Sequence, residues 1–291
     1  MQVSANGLAI EVDDQGPTTG PPLLLIMGLG MQLTAWPDGL VRLLVARGFR
    51  VIRIDNRDAG LSQGFESSGT PNLAWALLRL LLRLPVASAY TLADMADDAF
   101  GVLDALGLER AHVCGASMGG MIAQHMALRR PERVSRLTLM MTTSGARGLP
   151  QPSLRVRAAL LERRSGAAFK FDDEVARLER LFTLIGSPAY PPDREALRAR
   201  LAASLRRAWR PGGVVRQLIA VAADGDRRPR LARIGTPTHI IHGAADPLVP
   251  VAAAHDLHAS IAASTLEIID GMGHDLPAPL WPRLAEAIGR A

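Results

Sequence analysis

The residues best placed to do chemistry are Gly115-Ala116-Ser117-Met118-Gly119, lying between an apolar run at 111–114 and a helix-like run that begins at Met118. In that strand–turn–helix context a Gly-x-Ser-x-Gly pattern forms a nucleophile elbow. Holding serine on so sharp a turn strains the backbone, and only very small neighbours, Gly115 and Gly119, let strand and helix approach closely enough. A serine hydroxyl is a poor nucleophile at neutral pH, so Ser117 needs a base to take its proton and a third group to orient that base. Two later loops supply both. His242-Gly243-Ala244-Ala245-Asp246 follows the penultimate apolar run, and Gly271-Met272-Gly273-His274-Asp275 follows the last. The expected trio is Ser117 as nucleophile, His274 as base and Asp246 as its orienting acid.

The other histidines fit the base role less well. His239 and His242 fall on the run leading to Asp246, His255 and His258 fall in the next helical pattern, and His112 and His125 flank the elbow without a carboxylate after a strand. Asp275 rivals Asp246 as the acid, but adjacent residues rarely turn their side chains toward one another. A tetrahedral intermediate also needs donors for its oxyanion. The backbone N–H of Met118, at a helix N-terminus where the dipole favours negative charge, is one expected donor. The Leu29 amide is the second, in Met27-Gly28-Leu29-Gly30, where Gly28 permits close approach of the backbone.

Positioning these groups requires a sheet. Apolar runs bounded by turn residues recur at 8–12, 23–27, 50–54, 111–114, 137–141, 238–242 and 266–269, the later ones reading as strands buried on both faces. Helical patterns at 40–47, 92–106, 118–129, 252–261 and 280–288 alternate with them. The alternation predicts an α/β fold with a mostly parallel central sheet flanked by helices and its chemistry at the carboxyl ends of the strands. It stops after Met141 for about ninety residues, too long for a structureless loop. Leu197, Leu201, Leu205 and Trp209 recur every four residues there, Val175, Leu178 and Phe182 follow the same logic, and so do Val214, Leu218 and Ile219. The expected organisation is a core from 1–143 and 234–291 with a helical cap, 144–233, inserted into it. A further apolar helix at 73–84, carrying Arg79 and Arg83, is expected to pack under or beside the cap, with a membrane-surface or homodimer contact as the alternatives.

Composition narrows the class. Apolar residues make up 48% of the 291 and charged residues 21%, ordinary proportions for a folded globular chain. Cys114 is the only cysteine, which excludes an internal disulfide and a thiolate metal cluster within one chain. The N-terminus carries no secretory pattern and no apolar run reaches membrane-spanning length, so a cytoplasmic location without stable membrane insertion is expected. The net charge of +5 is uneven: residues 144–233 hold 19 Lys or Arg against 9 Asp or Glu, and the remainder 14 against 19. Lys170 is the only lysine, and the arginines are spread through helical patterns, so they read as solvated helix faces rather than a nucleic-acid surface.

Taken together, Ile26-Met27-Gly28-Leu29-Gly30, Asp55-Asn56-Arg57-Asp58-Ala59-Gly60-Leu61-Ser62, Gly115-Ala116-Ser117-Met118-Gly119-Gly120, the Asp246 segment and Gly271-Met272-Gly273-His274 resemble the α/β-hydrolases. The resemblance is to the serine carboxylesterases of the aclacinomycin methylesterase type, and it covers essentially the whole core. It implies the α/β-hydrolase fold, the chain order Ser117, Asp246, His274, and hydrolysis of a small-molecule carboxylic ester through an acyl-enzyme with neither cofactor nor metal. Many relatives carry His-Gly where this chain has Met27-Gly28, but the family's oxyanion donor is the amide one residue on. The loop at 55–62 is expected to support the site structurally. Ser117 argues against epoxide hydrolases and dehalogenases, which need a carboxylate nucleophile. Lactonase, thioesterase, aminopeptidase-like, perhydrolase and carbon–carbon bond hydrolase activities use the same trio, and a low-turnover ligand receptor of this fold can retain it.

Overall fold

The computed structural model describes residues 1–82, 84–160, 162 and 170–290. These form one eight-stranded sheet from β1 (Gln2–Ala5), β2 (Leu8–Gln15), β3 (Pro22–Ile26), β4 (Arg50–Ile54), β5 (Ala111–Ala116), β6 (Val134–Met140), β7 (Thr238–Gly243) and β8 (Ser264–Ile269). The spatial order is β1-β2-β4-β3-β5-β6-β7-β8. β1 and β2 pair antiparallel, as do β2 and β4, and every later pair is parallel. From β3 the chain steps outward to β4 and then returns to the other side of β3 as β5. The carboxyl ends of β3 and β5 therefore flank a topological switch point, where a sheet of this kind opens a crevice.

The described helices are α1 (Asp38–Ala46), α2 (Leu73–Leu81), α3 (Leu92–Ala105), α4 (Met118–Arg129), α5 (Leu154–Leu160), α6 (Phe171–Ile185), α7 (Arg194–Arg207), α8 (Pro211–Asp224), α9 (Arg228–Leu231), α10 (Ala252–Ser260) and α11 (Trp281–Arg290). Strand residues alternate between two apolar layers, as the period of two requires. Leu23, Leu25, Val51, Cys114, Met140 and Ile241 pack with α1 and α11, while Leu24, Ile26, Ile52, Val113, Leu139 and Ile240 pack with α3, α4 and α10. Local chemistry sets the helix starts. Thr91 and Asp94 form a reciprocal capping box for α3, Asp193 caps α7, and Pro211 opens α8.

The seven expected strands form, and 8–12 lengthens to Leu8–Gln15. β1 is additional. It joins β2 through Asn6-Gly7, both with positive φ (51° and 75°), the dipeptide favoured by a tight hairpin turn. The apolar helix expected at 73–84 ends at Leu81, and Arg83 lies outside the described residues. It packs against α8 with Ala76 buried, yet Trp75, Leu78 and Leu82 are exposed. α7 stops at Arg207 and Ala208 is extended, so Trp209 falls off the four-residue repeat. In α8 the expected stripe is displaced: Val214 is exposed, and the buried row is Gly213, Arg216, Gln217, Ile219 and Ala220.

That displacement corrects the reading of the arginines as solvated faces. Three of them join the helices between β6 and β7 to the rest of the fold. Arg216 makes a bidentate bridge to Asp58 (2.7 and 2.8 Å) and donates to the Gly69 carbonyl, and Tyr90 adds a hydroxyl to the same carboxylate at 2.7 Å. Arg207 donates to Asp55 at 2.7 Å. Arg227 pairs with Asp224, donates to Gln124 on α4 at 2.9 Å and to the Thr143 carbonyl at 2.7 Å. Burial alone would push the Asp58 carboxyl up, but hydrogen bonds from Arg216, Tyr90 and the Phe65 amide outweigh it and hold the group below the ordinary carboxylate range. Among the described residues no helix is long and apolar enough to cross a membrane.

The Arg216–Asp58 pair generates a stability prediction. Arg216→Met leaves a wholly buried carboxylate without its cation, and a urea titration at pH 7 should show a loss of about 3–5 kcal/mol. Because the folded-state pKa of Asp58 is depressed, its contribution is complete above about pH 4 and is lost as pH falls through the folded value. The gap between the two proteins should therefore close in acid.

Candidate active site

Ser117 caps α4 with φ 55° and ψ −120°, a left-handed backbone that a non-glycine residue adopts only under constraint. The constraint is visible on both sides of the peptide. The Ser117 amide donates to the Met140 carbonyl at 2.9 Å, and the Ser117 carbonyl accepts from the Gly120 amide and from the Thr142 hydroxyl at 2.7 Å. A Cβ on Gly115 would stand 2.2 Å from the Gly119 carbonyl oxygen, and a Cβ on Gly119 would stand 2.0 Å from the Ile26 carbonyl oxygen. Both glycines are thus required by backbone contact. Gly28 lies across the crevice, where an added Cβ would be 3.0 Å from Ser117 Cβ.

The three side chains expected to act together come together at the carboxyl ends of β5, β7 and β8. His274 Nε2 is 3.1 Å from Ser117 Oγ, and His274 Nδ1 is 2.7 Å from Asp246 Oδ2. The Asp246 side chain is wholly buried, and its Oδ1 accepts the Leu248 and Val249 amides at 2.9 and 2.8 Å. A carboxylate facing Nδ1 selects the tautomer that keeps the proton there and turns the Nε2 lone pair to the serine hydroxyl. His242 does not compete. It is fully buried, donates from Nε2 to the Val249 carbonyl at 2.8 Å, and burial pushes its pKa down so that the ring stays neutral. His112 meets Thr138, His125 meets Asp224, and His255 and His258 lie in α10.

Met118 occupies the first position of α4, and Leu29 lies in the turn after β3. Neither amide has a hydrogen-bond partner among the described residues. The Leu29 turn is held from both ends, since the Met31 amide donates to the Gly28 carbonyl at 3.1 Å and the Gly30 amide to Gln217 Oε1 at 2.7 Å. Gln217, fully buried on α8, also donates to the Arg57 carbonyl at 2.8 Å. Asn56 donates to the Met27 carbonyl, while Asp55 accepts the Leu33 and Leu61 amides. The 55–62 loop therefore braces the turn, as expected of it. Sequence reasoning missed Gln217, whose signal was an amide inside an otherwise apolar helical pattern.

A cavity of about 500 Å³ has Met121, Thr143, Arg147, Val221 and Leu248 among its walls, and none of Ser117, Asp246 or His274. It adjoins the site through Leu248, whose amide holds Asp246, and through Thr143, next to the residue that holds the Ser117 carbonyl. Among the described residues no three His, Cys, Asp or Glu side chains converge as a metal site would need.

Fold order, switch-point crevice and strained serine define a class, and comparison with known proteins agrees: the α/β hydrolase fold model matches residues 21–277, and the chain belongs to that family. Within it, the chain is 32% identical to the rhodomycin D methylesterase of Streptomyces sp. (strain C5), over 94% of this chain and 91% of that one. It is 27% identical to the 2-hydroxymuconate semialdehyde hydrolase of Pseudomonas sp. (strain CF600), over 99% and 92%. Among solved structures, an esterase from Exiguobacterium antarcticum superposes with a TM-score of 0.77 at 24% identity, covering 100% of this chain and 98% of that one, a likeness of fold.

The contact of Gly119 with β3 can be tested directly. Gly119→Ala must push α4 from the Ile26 carbonyl, and chemical denaturation should show a loss of at least about 3 kcal/mol, the upper range for overpacking.

Proposed function

We propose that this chain is a serine carboxylic-ester hydrolase that works through an acyl-enzyme, with Ser117, His274 and Asp246 as its catalytic triad. The observation that carries the reading is the continuous relay from Ser117 Oγ to His274 Nε2 at 3.1 Å and from His274 Nδ1 to Asp246 at 2.7 Å. In the proposed cycle His274 takes the Ser117 proton as Oγ attacks the ester carbonyl. The resulting oxyanion is met by the Leu29 and Met118 amides, neither of which has a hydrogen-bond partner among the described residues. Collapse expels the alcohol, which leaves with the proton from His274. Water then gives a proton to His274 and attacks the acyl carbon, and Ser117 is released with its proton restored. Asp246, buried and anchored by two amides, stabilises the imidazolium at each stage. Every proton and electron pair in this cycle is accounted for by side chains, ester and water, so the chemistry needs neither metal nor cofactor.

A methyl ester is the favoured substrate class, because the relatives with about 30% identity over most of the chain are named methylesterases. The helical segment 144–233 is read as a cap: it contributes Arg147 and Val221 to the cavity that adjoins the site through Leu248 and Thr143, and exposed Val214 lies against Gly30. Carbon–carbon bond hydrolysis is the second reading, favoured by similarity to 2-hydroxymuconate semialdehyde hydrolase over nearly the full chain.

Ser117→Ala should lower turnover of short p-nitrophenyl esters by on the order of 10⁴-fold and abolish labelling by a serine-directed phosphonate. Wild-type rates in that variant would sink the proposal. A panel of methyl esters, longer alkyl esters and a vinylogous 1,5-diketone distinguishes the two readings by which compound turns over fastest.

A further inference from the structure

The loop carrying His274 rests on the core along one side only. The Met272 amide donates to the Ile269 carbonyl at 3.3 Å, and the Ala245 amide to the Met272 carbonyl at 3.0 Å. Its other side is held by residues 185–189, the stretch that leaves the carboxyl end of α6. There the His274 amide donates to the Ile185 carbonyl at 2.8 Å, and the Ala189 amide donates to the Gly271 carbonyl at 3.2 Å. Ser187, 3% exposed, links the two segments through its side chain. Its Oγ accepts the Gly273 amide at 2.9 Å and donates to Asp275 Oδ1, so the residues on both sides of His274 share one hydroxyl. The fit is close: a Cβ on Gly273 would stand 2.4 Å from the Gly186 carbonyl oxygen, and one on Gly271 would stand 2.3 Å from Ala189 Cβ.

We propose that Ser187, acting with Asp275, is a positioning residue that sets the reach of His274 toward Ser117. The proposal rests on the reading of His274 as the general base. The Nε2–Oγ separation of 3.1 Å leaves little slack, because a hydrogen bond weakens steeply as it lengthens or bends. Without the Ser187 hydroxyl, Gly273 and Asp275 lose their common partner, and the imidazole is free to drift from both Ser117 and Asp246. Misplacement of a catalytic group by about 1 Å costs up to 10²-fold in rate. Ser187 touches neither the serine nor the cavity, so the cost falls on the chemical step and not on substrate binding.

The test compares Ser187→Ala, Asp275→Ala, Asp275→Asn, the double alanine variant and His274→Ala on a p-nitrophenyl ester, with circular dichroism confirming the fold. Ser187→Ala should lower kcat by about 10-fold while KM stays within about 2-fold. Asp275→Asn keeps an acceptor for the hydroxyl and should restore most of what Asp275→Ala loses. The double variant should be no worse than the more impaired single variant, since the two side chains act as one unit. The split between kcat and KM, together with the rescue by Asp275→Asn, is a readout that a purely structural role would not move. Should the alanine variant fold poorly, Ser187→Cys leaves no void, weakens both hydrogen bonds and carries the same expectation. Wild-type kcat in Ser187→Ala, while His274→Ala is inactive, overturns the positioning role. Retained turnover in His274→Ala overturns the triad reading instead.

Discussion

The contact of the Gly119 backbone with the Ile26 carbonyl, whose oxygen an added Cβ would meet at 2.0 Å, is the constraint from which the site follows. It brings α4 down onto the end of β3, and Gly115 lets β5 pass under the same helix. With both ends of the turn pinned, Ser117 has no room for an ordinary backbone conformation and stands at φ 55°, its hydroxyl raised into the crevice. The same approach sets Gly28 against Ser117 Cβ and aligns the first amide of α4 with the turn after β3. Ser117 and the Leu29 and Met118 amides are thus placed by one packing event seen from two strands. The strain is borne by the Met140 carbonyl, the Thr142 hydroxyl and the buried sheet on either side.

A second set of interactions ties the helices between β6 and β7 to that centre, and it is polar where a sequence reader expects apolar seams. Arg216, Arg207 and Arg227 reach buried partners on the 55–62 loop and on α4, and Gln217 reaches the Gly30 amide. Buried ion pairs add little net stability, because desolvation consumes most of the Coulomb gain. What they supply is geometry: a bidentate guanidinium accepts one orientation of its carboxylate, whereas an apolar seam tolerates sliding. Helices docked in this way keep a fixed register on the loops that carry Leu29 and Asp55.

The sheet and the meeting of Ser117, His274 and Asp246 were legible in the sequence because each is encoded locally. Period-two apolar runs mark strands, Gly-x-Ser-x-Gly marks a turn that only glycines permit, and Asp246 and His274 each follow a strand end. The misses have the opposite character. β1 is short and polar, and its only signal is Asn6-Gly7. The buried face of α8 includes Arg216 and Gln217, so hydropathy placed Ile219 correctly but missed its polar neighbours, since nothing within fourteen residues of helix reveals that Asp58 and Gly30 are waiting for them. Ser187 and Asp275 are 88 residues apart and gain meaning only when α6 ends beside the last strand. Local rules find elements and elbows; they do not find the side chains that join distant segments.

This division bears on how such a chain changes substrate. The segment between β6 and β7 contributes walls to the cavity lined by Val221 and Leu248, and through Gln217 and residues 185–189 it also grips the turn bearing Leu29 and the loop bearing His274. A substitution that reshapes the cavity from these helices acts on a segment whose other contacts hold the Leu29 turn and the His274 loop. On the proposed function, specificity and rate are therefore coupled through shared backbone. The least coupled route to a new substrate runs through side chains that meet the cavity without joining either grip, such as Val221 on α8 and Leu248 on the core. The Gln217 amide and the Ser187 hydroxyl, which touch no cavity wall, are the contacts that any such change has to leave in place.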